Sequence, residues 1–347
     1  MDFSRRLLAI LLSLTGLISA SSSVAQEKQG DAPIKVQTTL VSVPVIVSDR
    51  QGRYVSGLKL ENFKLYQDRI EQRIAIFDAA EEPLNIALLL DTSRSTLQVL
   101  DDIKKDAGNF LKELRPQDRA LVMSFDYGVH LLCALTSDRK ALERAIKDAR
   151  IGERVGTTLR DAVAEVIERR FKRVDGRKAI ILLTDGKDHG SGISEDELFD
   201  EATESGSMIY SVFFETDFQR QARNGPLPFP RRGRGGMGRR FPPIDRPRDS
   251  DRRRERVDMR NADAVTFLTK LSDVSAGRFY SSEVSDLKKT FKLIAEELRH
   301  QYRLGFYPDV NKADGQRHTL RVEVSAPDAV VRARRSYQAP SFTGESR

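Results

Sequence analysis

Four short segments of almost uninterrupted apolar sequence constrain the fold of this chain most strongly. They lie at residues 84–90, 120–125, 179–183 and 208–214. Strands that are apolar along their whole length are typically buried on both faces. The remaining segments have helical spacing, which predicts helices at 97–114, 137–149, 158–171, 194–204, 262–271 and 284–300. This alternation predicts a mostly parallel sheet that is covered by helices on both faces.

Alternating, β-branched segments lie on both sides of this α/β region. On the N-terminal side, residues 34–49 predict a long strand, and shorter strands are expected at 63–66 and 73–77 around a turn at 67–69. On the C-terminal side, strands are expected at 302–307, 318–325 and 330–337. Neither flank alone has enough strands to bury a hydrophobic face, whereas together they supply about six. We therefore expect a β-sandwich-like domain, built from both flanks, into which the α/β domain is inserted.

The first 25 residues have the three parts of a secretory signal peptide. Arg5 and Arg6 form a basic start, residues 7–18 are mostly apolar, and Ser23-Val24-Ala25 forms an A-x-A-like cleavage site. The apolar run is shorter than the roughly 20 residues that a helix needs to span a membrane, and an uncleaved anchor is the alternative. We expect cleavage near Ala25-Gln26, a secreted or periplasmic location and no transmembrane span.

A chain of 347 residues has room for two or three domains, at about 100–200 residues per domain. The expected organisation is a signal peptide at 1–25, an N-terminal β segment at 26–82, an α/β domain at 83–300 and a C-terminal β segment at 301–347. The single cysteine, Cys133, excludes intrachain disulfides and cysteine-based zinc or iron–sulfur sites. We expect it to be a small buried hydrophobic residue.

An arginine-rich segment at residues 219–256 interrupts the α/β pattern. Thirteen arginines against four acidic residues give it a net charge of +9, whereas the whole chain carries +7, and it holds six of the 13 prolines. Such a composition predicts a disordered insert. Its charge suits an anionic envelope surface, or it is simply a flexible cationic loop. Its Arg/Gly run resembles RNA-binding tracts, but the export signal makes nucleic acid an unexpected partner.

Oxygen-bearing side chains follow the predicted strands where the strands end. Asp91, Ser93 and Ser95 leave the first apolar strand, Asp185 ends the third, and Thr157 lies in a loop that opens a helix. Ligands of open parallel sheets bind at the carboxyl ends of the strands. A carboxylate with neighbouring hydroxyls suits a hard divalent cation, Mg²⁺ above all. Each feature alone also fits an ordinary helix cap or turn.

Three motifs resemble the metal-ion-dependent adhesion site of von Willebrand factor type A domains. They are Asp91-x-Ser93-x-Ser95, Gly156-Thr157-x-Leu159-x-Asp161 and Thr184-Asp185-Gly186. The resemblance covers about residues 83–300 apart from the insert, and it implies a Rossmann-like, doubly wound domain. It also implies direct metal contacts from Asp91, Ser93, Ser95 and Thr157, with Asp185 acting through water. Residues 43–47, 57–63 and 302–308 are similar to a secreted bacterial family, the VWFA-related acidobacterial domain.

These observations predict a non-catalytic binding protein that uses Mg²⁺, or Mn²⁺ or Ca²⁺, to bind a protein ligand. With Asp91 as the one carboxylate of the first loop, a bound cation stays electron-poor, so a ligand carboxylate is expected to complete its shell. The resemblance implies the same mode of binding. Two alternatives stay open, a metal-assisted phosphohydrolase at the same site and a scaffold with a vestigial site.

Overall fold

A computed structural model describes residues 40–216, 249–309 and 314–339, with the side chains of residues 249–258 left out. The predicted signal peptide and most of the predicted arginine-rich insert lie outside these residues. Within the described part of the chain, no helix is both long enough and apolar enough to cross a membrane.

The strands of the described residues are, in chain order, β1 Val41–Ser48, β2 Phe63–Gln67, β3 Ile70–Gln72, β4 Ile76–Asp78, β5 Leu84–Asp91, β6 Arg119–Phe125, β7 Val129–Thr136, β8 Arg177–Thr184, β9 Met208–Phe214, β10 Arg278–Ser282, β11 Gln301–Phe306, β12 Arg317–Val324, β13 Val330–Ala333 and β14 Ser336–Gln338. The α-helices are α1 Leu100–Glu113, α2 Arg139–Asp148, α3 Leu159–Glu165, α4 Glu195–Glu204, α5 Asp249–Val274 and α6 Leu287–Arg299.

A six-stranded sheet in the order β10-β9-β8-β5-β6-β7 forms the centre of the α/β domain. All neighbouring strands in it are parallel except β6 and β7, which are antiparallel. Every residue of β5 and β9 is buried, as their apolar sequences predict. Cys133 lies on the edge strand β7 and is only partly buried, so the expectation of a buried cysteine was wrong.

Helices cover both faces of this sheet, and the side chains of β5 alternate between two separate cores. Ile86, Leu88 and Leu90 pack with α1, α2 and α6 in one core. Ala87 and Leu89 pack with α3, α4 and α5 in the other. The predicted doubly wound, mostly parallel α/β architecture is therefore confirmed.

Two four-stranded antiparallel sheets, β13-β1-β11-β4 and β14-β12-β2-β3, are built from both flanks of the chain. Strand β1 pairs with β11, and β2 pairs with β12. The two sheets share one hydrophobic core that includes Val43, Leu65, Leu304 and Tyr337. The predicted fold class, an α/β domain inserted into a β-sandwich-like domain, is confirmed, while the predicted domain boundaries stay a prediction.

Glu297 of α6 joins the two domains through a fully buried carboxylate. It accepts hydrogen bonds from the hydroxyls of Tyr210 (2.8 Å) and Tyr54 (3.1 Å). It also pairs with two arginines, Arg278 at 3.2 Å and Arg332 of β13. Tyr210 and Arg278 come from the first halves of β9 and β10, so this cluster lies toward the amino-terminal edge of the parallel sheet.

Local turns account for two differences from the predicted elements. The predicted turn at 67–69 is a tight hairpin, with positive φ at Asp68 (48°) and Arg69 (71°), and it leads into β3, which the sequence analysis missed. Hairpins of this type favour Asn, Asp and Gly, so the arginine obscures the signal. The helix predicted at 137–149 begins two residues later, at Arg139, because the carboxylate of Asp138 accepts the N–H groups of Lys140 and Ala141 and so caps the helix there.

Two helices also differ from their predicted extent. Helix α5 begins at Asp249, so the last eight residues of the predicted insert 219–256 are helical. Residues 249–256 contain no Gly or Pro and are rich in Arg, a good helix former, which favours this extension. The helix predicted at 158–171 changes after Glu165 into a π-helical turn, Val166–Arg170.

Candidate metal site

Four loops meet at the carboxyl edge of the parallel sheet and are tied to one another through backbone hydrogen bonds. The N–H of Thr92 donates to the carbonyl of Phe125, and the carbonyl of Thr92 accepts from Gly152. The loop after β6 is joined to the start of α3 by a 2.7 Å bond from Thr158 N–H to the Asp126 carbonyl. A further bond, from His189 N–H to the Thr157 carbonyl (2.9 Å), joins the loop after β8. The predicted gathering of the three motif loops at one edge is therefore observed.

Asp91 ends β5 and is fully buried. One carboxylate oxygen accepts the Ser93 N–H (2.9 Å), and the other accepts the Thr184 hydroxyl (2.8 Å). No ion pair of this carboxylate occurs among the described residues. Burial, together with the nearby charge of Asp185, raises the pKa of Asp91 to about 7. The site thus holds two carboxylates close together, an arrangement that favours a cation between or beside them.

The hydroxyls of Ser93 and Ser95 lie 3.0 Å apart beside Asp91. Ser93 is buried and precedes a short 3₁₀ turn, Arg94–Thr96, but its side chain makes no capping bond to that turn. The hydroxyl of Thr96 holds the turn instead, since it donates to the carbonyls of Asp91 (3.1 Å) and Ser93 (2.8 Å). An ordinary helix cap therefore does not explain Ser93.

Thr157 and Thr158 are both buried, but they have different roles in the loop. The Thr158 hydroxyl donates to the Asp126 carbonyl (3.2 Å) and so helps to hold the fold. The Thr157 hydroxyl has no hydrogen-bond partner within the described part of the chain, which leaves its oxygen available to a ligand. Gly156 is needed before it, because a Cβ there would lie 2.9 Å from the ring of Tyr127.

Asp185 follows β8 and is buried, and its carboxylate faces the ammonium of Lys187 at 2.5 Å. Gly186 makes the intervening turn with a φ of +80°, and a Cβ there would lie 2.5 Å from the Cβ of Ala264. The Gly186 N–H donates to the Thr184 hydroxyl (2.9 Å), which itself donates to Asp91. Thr184 therefore connects the two carboxylate loops.

Sequence reasoning missed the roles of Thr184 and Lys187. Thr184 belongs to the motif Thr184-Asp185-Gly186, but the resemblance assigns it no metal contact. Its position at the end of β8, beside Asp185, is a signal that could have assigned it a role. Asp161, another motif residue, does not contribute to the site, since its carboxylate accepts the N–H groups of Gly192 (2.9 Å) and Ile193 (3.1 Å) and so holds their loop.

The donors at this edge suit a hard divalent cation. They are carboxylate and hydroxyl oxygens, which Mg²⁺, Mn²⁺ and Ca²⁺ prefer over sulfur and imidazole ligands. No group of three or more His, Cys, Asp and Glu side chains that could hold a metal occurs in the ranges that the structure describes. A site here would accordingly depend on hydroxyls as much as on carboxylates.

Comparison with known families places the site within a recognised domain. Residues 85–224 match the family model of the von Willebrand factor type A domain, and this range includes all five predicted metal-site residues. The finer resemblance, to the acidobacterial family, stays a prediction. The comparison with curated proteins gave no match.

Comparison with solved structures finds several proteins of similar fold. The conserved hypothetical protein BatB from Bacteroides thetaiotaomicron is 19% identical over 62% of this chain and 97% of its own, with a TM-score of 0.43. The vWF domain of the pili tip protein Mfa5 from Porphyromonas gingivalis is 12% identical over 62% of this chain and 94% of its own, with a TM-score of 0.42. Proximal thread matrix protein 1 from the mussel byssus, in a form with a zinc-occupied MIDAS motif, is 16% identical over 61% of this chain and 47% of its own, with a TM-score of 0.41.

Proposed function

We propose that this chain uses its von Willebrand factor type A domain, matched at residues 85–224, to bind a protein ligand through a divalent cation. Asp91, Ser93, Ser95 and Thr157 would contact the cation directly, and Asp185 would act through water. When bound, the cation supplies a positive charge with coordination positions open to a ligand. Mg²⁺ is the proposed metal, with Mn²⁺ or Ca²⁺ as substitutes.

One observation carries this proposal: a fully buried carboxylate, Asp91, has a second carboxylate as its charged neighbour. Burying a charge is unfavourable unless it is paired or coordinates a metal. Asp91 receives two hydrogen bonds from neutral donors, and beside it lie hydroxyls that the fold does not use for capping. A cation at this edge would offset the cost of burying the two acids.

The same donor set indicates what the ligand contributes. One carboxylate and three neutral hydroxyls leave a divalent cation with net positive charge and fewer than the six oxygens that Mg²⁺ prefers. A Glu or Asp side chain of a partner protein would displace water and supply the missing charge. Binding of the partner would then depend on the metal, and it would be lost in EDTA and restored by Mg²⁺.

We also propose that the site binds without catalysis and that the protein is exported. Three further polar side chains of these loops, those of Thr96, Thr158 and Asp161, already make hydrogen bonds that hold the loops, so we assign them a structural role and not a catalytic one. Hydrolysis of p-nitrophenyl phosphate in the presence of Mg²⁺ tests the alternative. Sustained turnover that Asp91→Asn abolishes would replace this proposal with a metal-assisted phosphohydrolase.

Thermal unfolding in EDTA and in Mg²⁺ or Mn²⁺ tests the metal site. A ligand that binds the folded state alone raises the melting temperature, so the wild type should gain stability in metal and Asp91→Asn should not. Asp118→Asn is the matched control, because Asp118 is also buried and accepts two N–H bonds, from Leu84 (3.0 Å) and Arg115 (2.8 Å), at the opposite edge of the sheet. An equal metal-induced shift in wild type and Asp91→Asn would show that the site assignment is wrong.

A further inference from the structure

The loop after β8 places a cation of the chain itself at the candidate metal site. The Lys187 ammonium lies 2.5 Å from one oxygen of Asp185, and the Lys187 backbone N–H faces the other oxygen at 3.4 Å. The Asp185 side chain is fully buried, whereas that of Lys187 is 27% exposed. The lysine therefore reaches a buried carboxylate from the protein surface.

The turn between these two residues is fixed by its surroundings. Gly186 adopts a positive φ and packs against Ala264, and its N–H is held by the Thr184 hydroxyl. Because Thr184 also donates to Asp91, the turn has a defined position relative to both carboxylates. The Lys187 backbone is thus held close to Asp185, so little backbone entropy is lost when the ion pair forms.

We propose that Lys187 is an internal counterion that occupies Asp185 when no metal is bound and that divalent metal displaces its ammonium. The inference rests on the proposed metal site. The ammonium and a divalent cation that reaches Asp185 through a bound water carry like charges and compete for the negative charge of the same buried carboxylate, so Lys187 weakens metal binding. Its partial exposure lets the ammonium move into water when it is displaced. The chain thereby stays folded without metal and binds metal with reduced affinity.

Metal titration of lysine variants tests this role. The probe is Mn²⁺, titrated by calorimetry into the full chain. Lys187→Met removes the competing charge and keeps the apolar stem, so we expect about tenfold tighter binding, since a neighbouring charge shifts such ionic equilibria by an order of magnitude or more. Lys187→Arg keeps the charge and should bind Mn²⁺ with an affinity near that of the wild type.

Arg160→Met is the matched control for a general loss of positive charge. Arg160 pairs with Asp188 of the same loop at 3.1 Å, and its side chain is 22% exposed, close to the value for Lys187, but it does not contact Asp185. This variant should change the Mn²⁺ affinity much less than Lys187→Met does. An equal increase in Mn²⁺ affinity in the two variants would indicate a general electrostatic effect and would overturn the displacement proposal.

Thermal unfolding separates competition from a purely structural role. If Lys187 replaces the metal, Lys187→Met lowers the melting temperature in EDTA and recovers most of that loss in Mn²⁺. If the ion pair instead has a purely structural role and persists beside the metal, Lys187→Met would lower the melting temperature equally in both conditions. That result would overturn the proposal. A wild type without any metal-induced shift would instead refute the metal site itself, so the two failures are distinguishable.

Amine labelling gives a direct readout of the displaced ammonium. Brief acetylation followed by mass spectrometry should modify Lys187 faster in Mg²⁺ than in EDTA, because the free ammonium is more accessible than the paired one. The half-buried side chain of Lys104, which donates to the carbonyl of Lys147 in the last turn of α2, serves as the internal reference. Unchanged labelling of Lys187, in a protein whose melting temperature does rise with Mg²⁺, would contradict displacement.

Discussion

Two buried carboxylates at opposite edges of the parallel sheet have very different partners. Glu297, toward the amino-terminal edge, is matched by two arginines and two tyrosine hydroxyls from both domains. Asp91, at the carboxyl edge, receives hydrogen bonds from a backbone N–H and a threonine hydroxyl, and its charged neighbour is another acid. Both side chains are fully buried.

The difference separates a charge that stabilises the fold from a charge that is available to a ligand. The chain itself supplies the positive charge for Glu297, so nothing external is needed there. At Asp91 the described residues supply only neutral donors, and Lys187, a cation at the same edge of the sheet, pairs with the other carboxylate. Altering each of these groups in turn tests whether the contrast holds.

Removing the charge of Glu297 should have the largest effect on stability. Glu297→Gln leaves Arg278 and Arg332 without their common partner, and breaking a buried ion pair in this way costs about 3 kcal/mol. Urea unfolding monitored by circular dichroism measures the change, with Glu296→Gln on the exposed face of α6 as the control. A loss below about 1 kcal/mol would mean that the charge of Glu297, like that expected for Asp91, contributes little to the stability of the fold.

The adjacent residues Thr157 and Thr158 should show the same contrast, between a group for a ligand and a group that stabilises the fold, with smaller changes in stability. Thr158→Ala removes a buried hydrogen bond to the Asp126 carbonyl and should cost about 1 kcal/mol, with the metal-induced shift retained. Thr157→Ala should leave the unfolding free energy in EDTA almost unchanged and should reduce the metal-induced shift. Urea unfolding and thermal scans with and without Mg²⁺ measure both quantities. The reverse pattern would assign the metal contact to Thr158.

Neutralising Asp91 should change stability little when metal is absent. Asp91→Asn keeps an acceptor for the Ser93 N–H and removes one of two neighbouring buried charges, so the unfolding free energy in EDTA should stay within about 1 kcal/mol of wild type or rise. Urea unfolding at pH 8 measures it. A loss as large as that of Glu297→Gln would mean that the charge of Asp91 stabilises the fold.

The smallest effect on the free energy of unfolding is expected for a substitution of His318 in the β-sandwich. Burial alone would lower the pKa of His318, but hydrogen bonds to the carboxylates of Asp68 (2.7 Å) and Asp314 (3.1 Å) outweigh it and raise the pKa above 6.5. The protonated form is therefore favoured in the folded state, and its contribution is fully present below pH 6.5 and is lost as the pH rises through the folded pKa.

The pH dependence of unfolding measures this contribution. The stability difference between wild type and His318→Gln should be larger at pH 5.5 than at pH 8.5. A difference that grows with pH would mean that the folded protein favours neutral imidazole, and the three groups would then not form a charge-assisted cluster like that of Glu297.

Features that depend on local composition could be predicted from the sequence. The apolar run of β5 predicts a strand buried on both faces, and the spacing of Ser194 and Glu197 predicts the capping box that begins α4. The position of the candidate site could also be predicted, because parallel strands bring their carboxyl ends to one edge. Asp91 accordingly ends β5, and Asp185 directly follows the neighbouring strand β8.

Features that depend on distant contacts could not be predicted in this way. Thr184 reaches Asp91 across 93 positions of sequence, and Tyr54 reaches Glu297 across 243. No spacing rule relates such residues, so neither the bond between the two carboxylate loops nor the buried cluster between the domains was expected. Strand β3, which begins directly after Asp68 and Arg69, was missed for a local reason, since arginine seldom adopts the positive φ of so tight a hairpin turn.

The pairing of β4 with β11 has a consequence for the mechanics of the molecule. Asp78 lies opposite Arg303, so the chain leaves the sandwich and returns to it on neighbouring strands about 5 Å apart. A pull on a partner held at the carboxyl edge would reach the sandwich through two adjacent connections that share the load. The same closeness would let another domain with neighbouring ends be grafted between these strands without changing their order in the sheet, although the graft would remove the contacts of Glu297 with Tyr54 and Arg332.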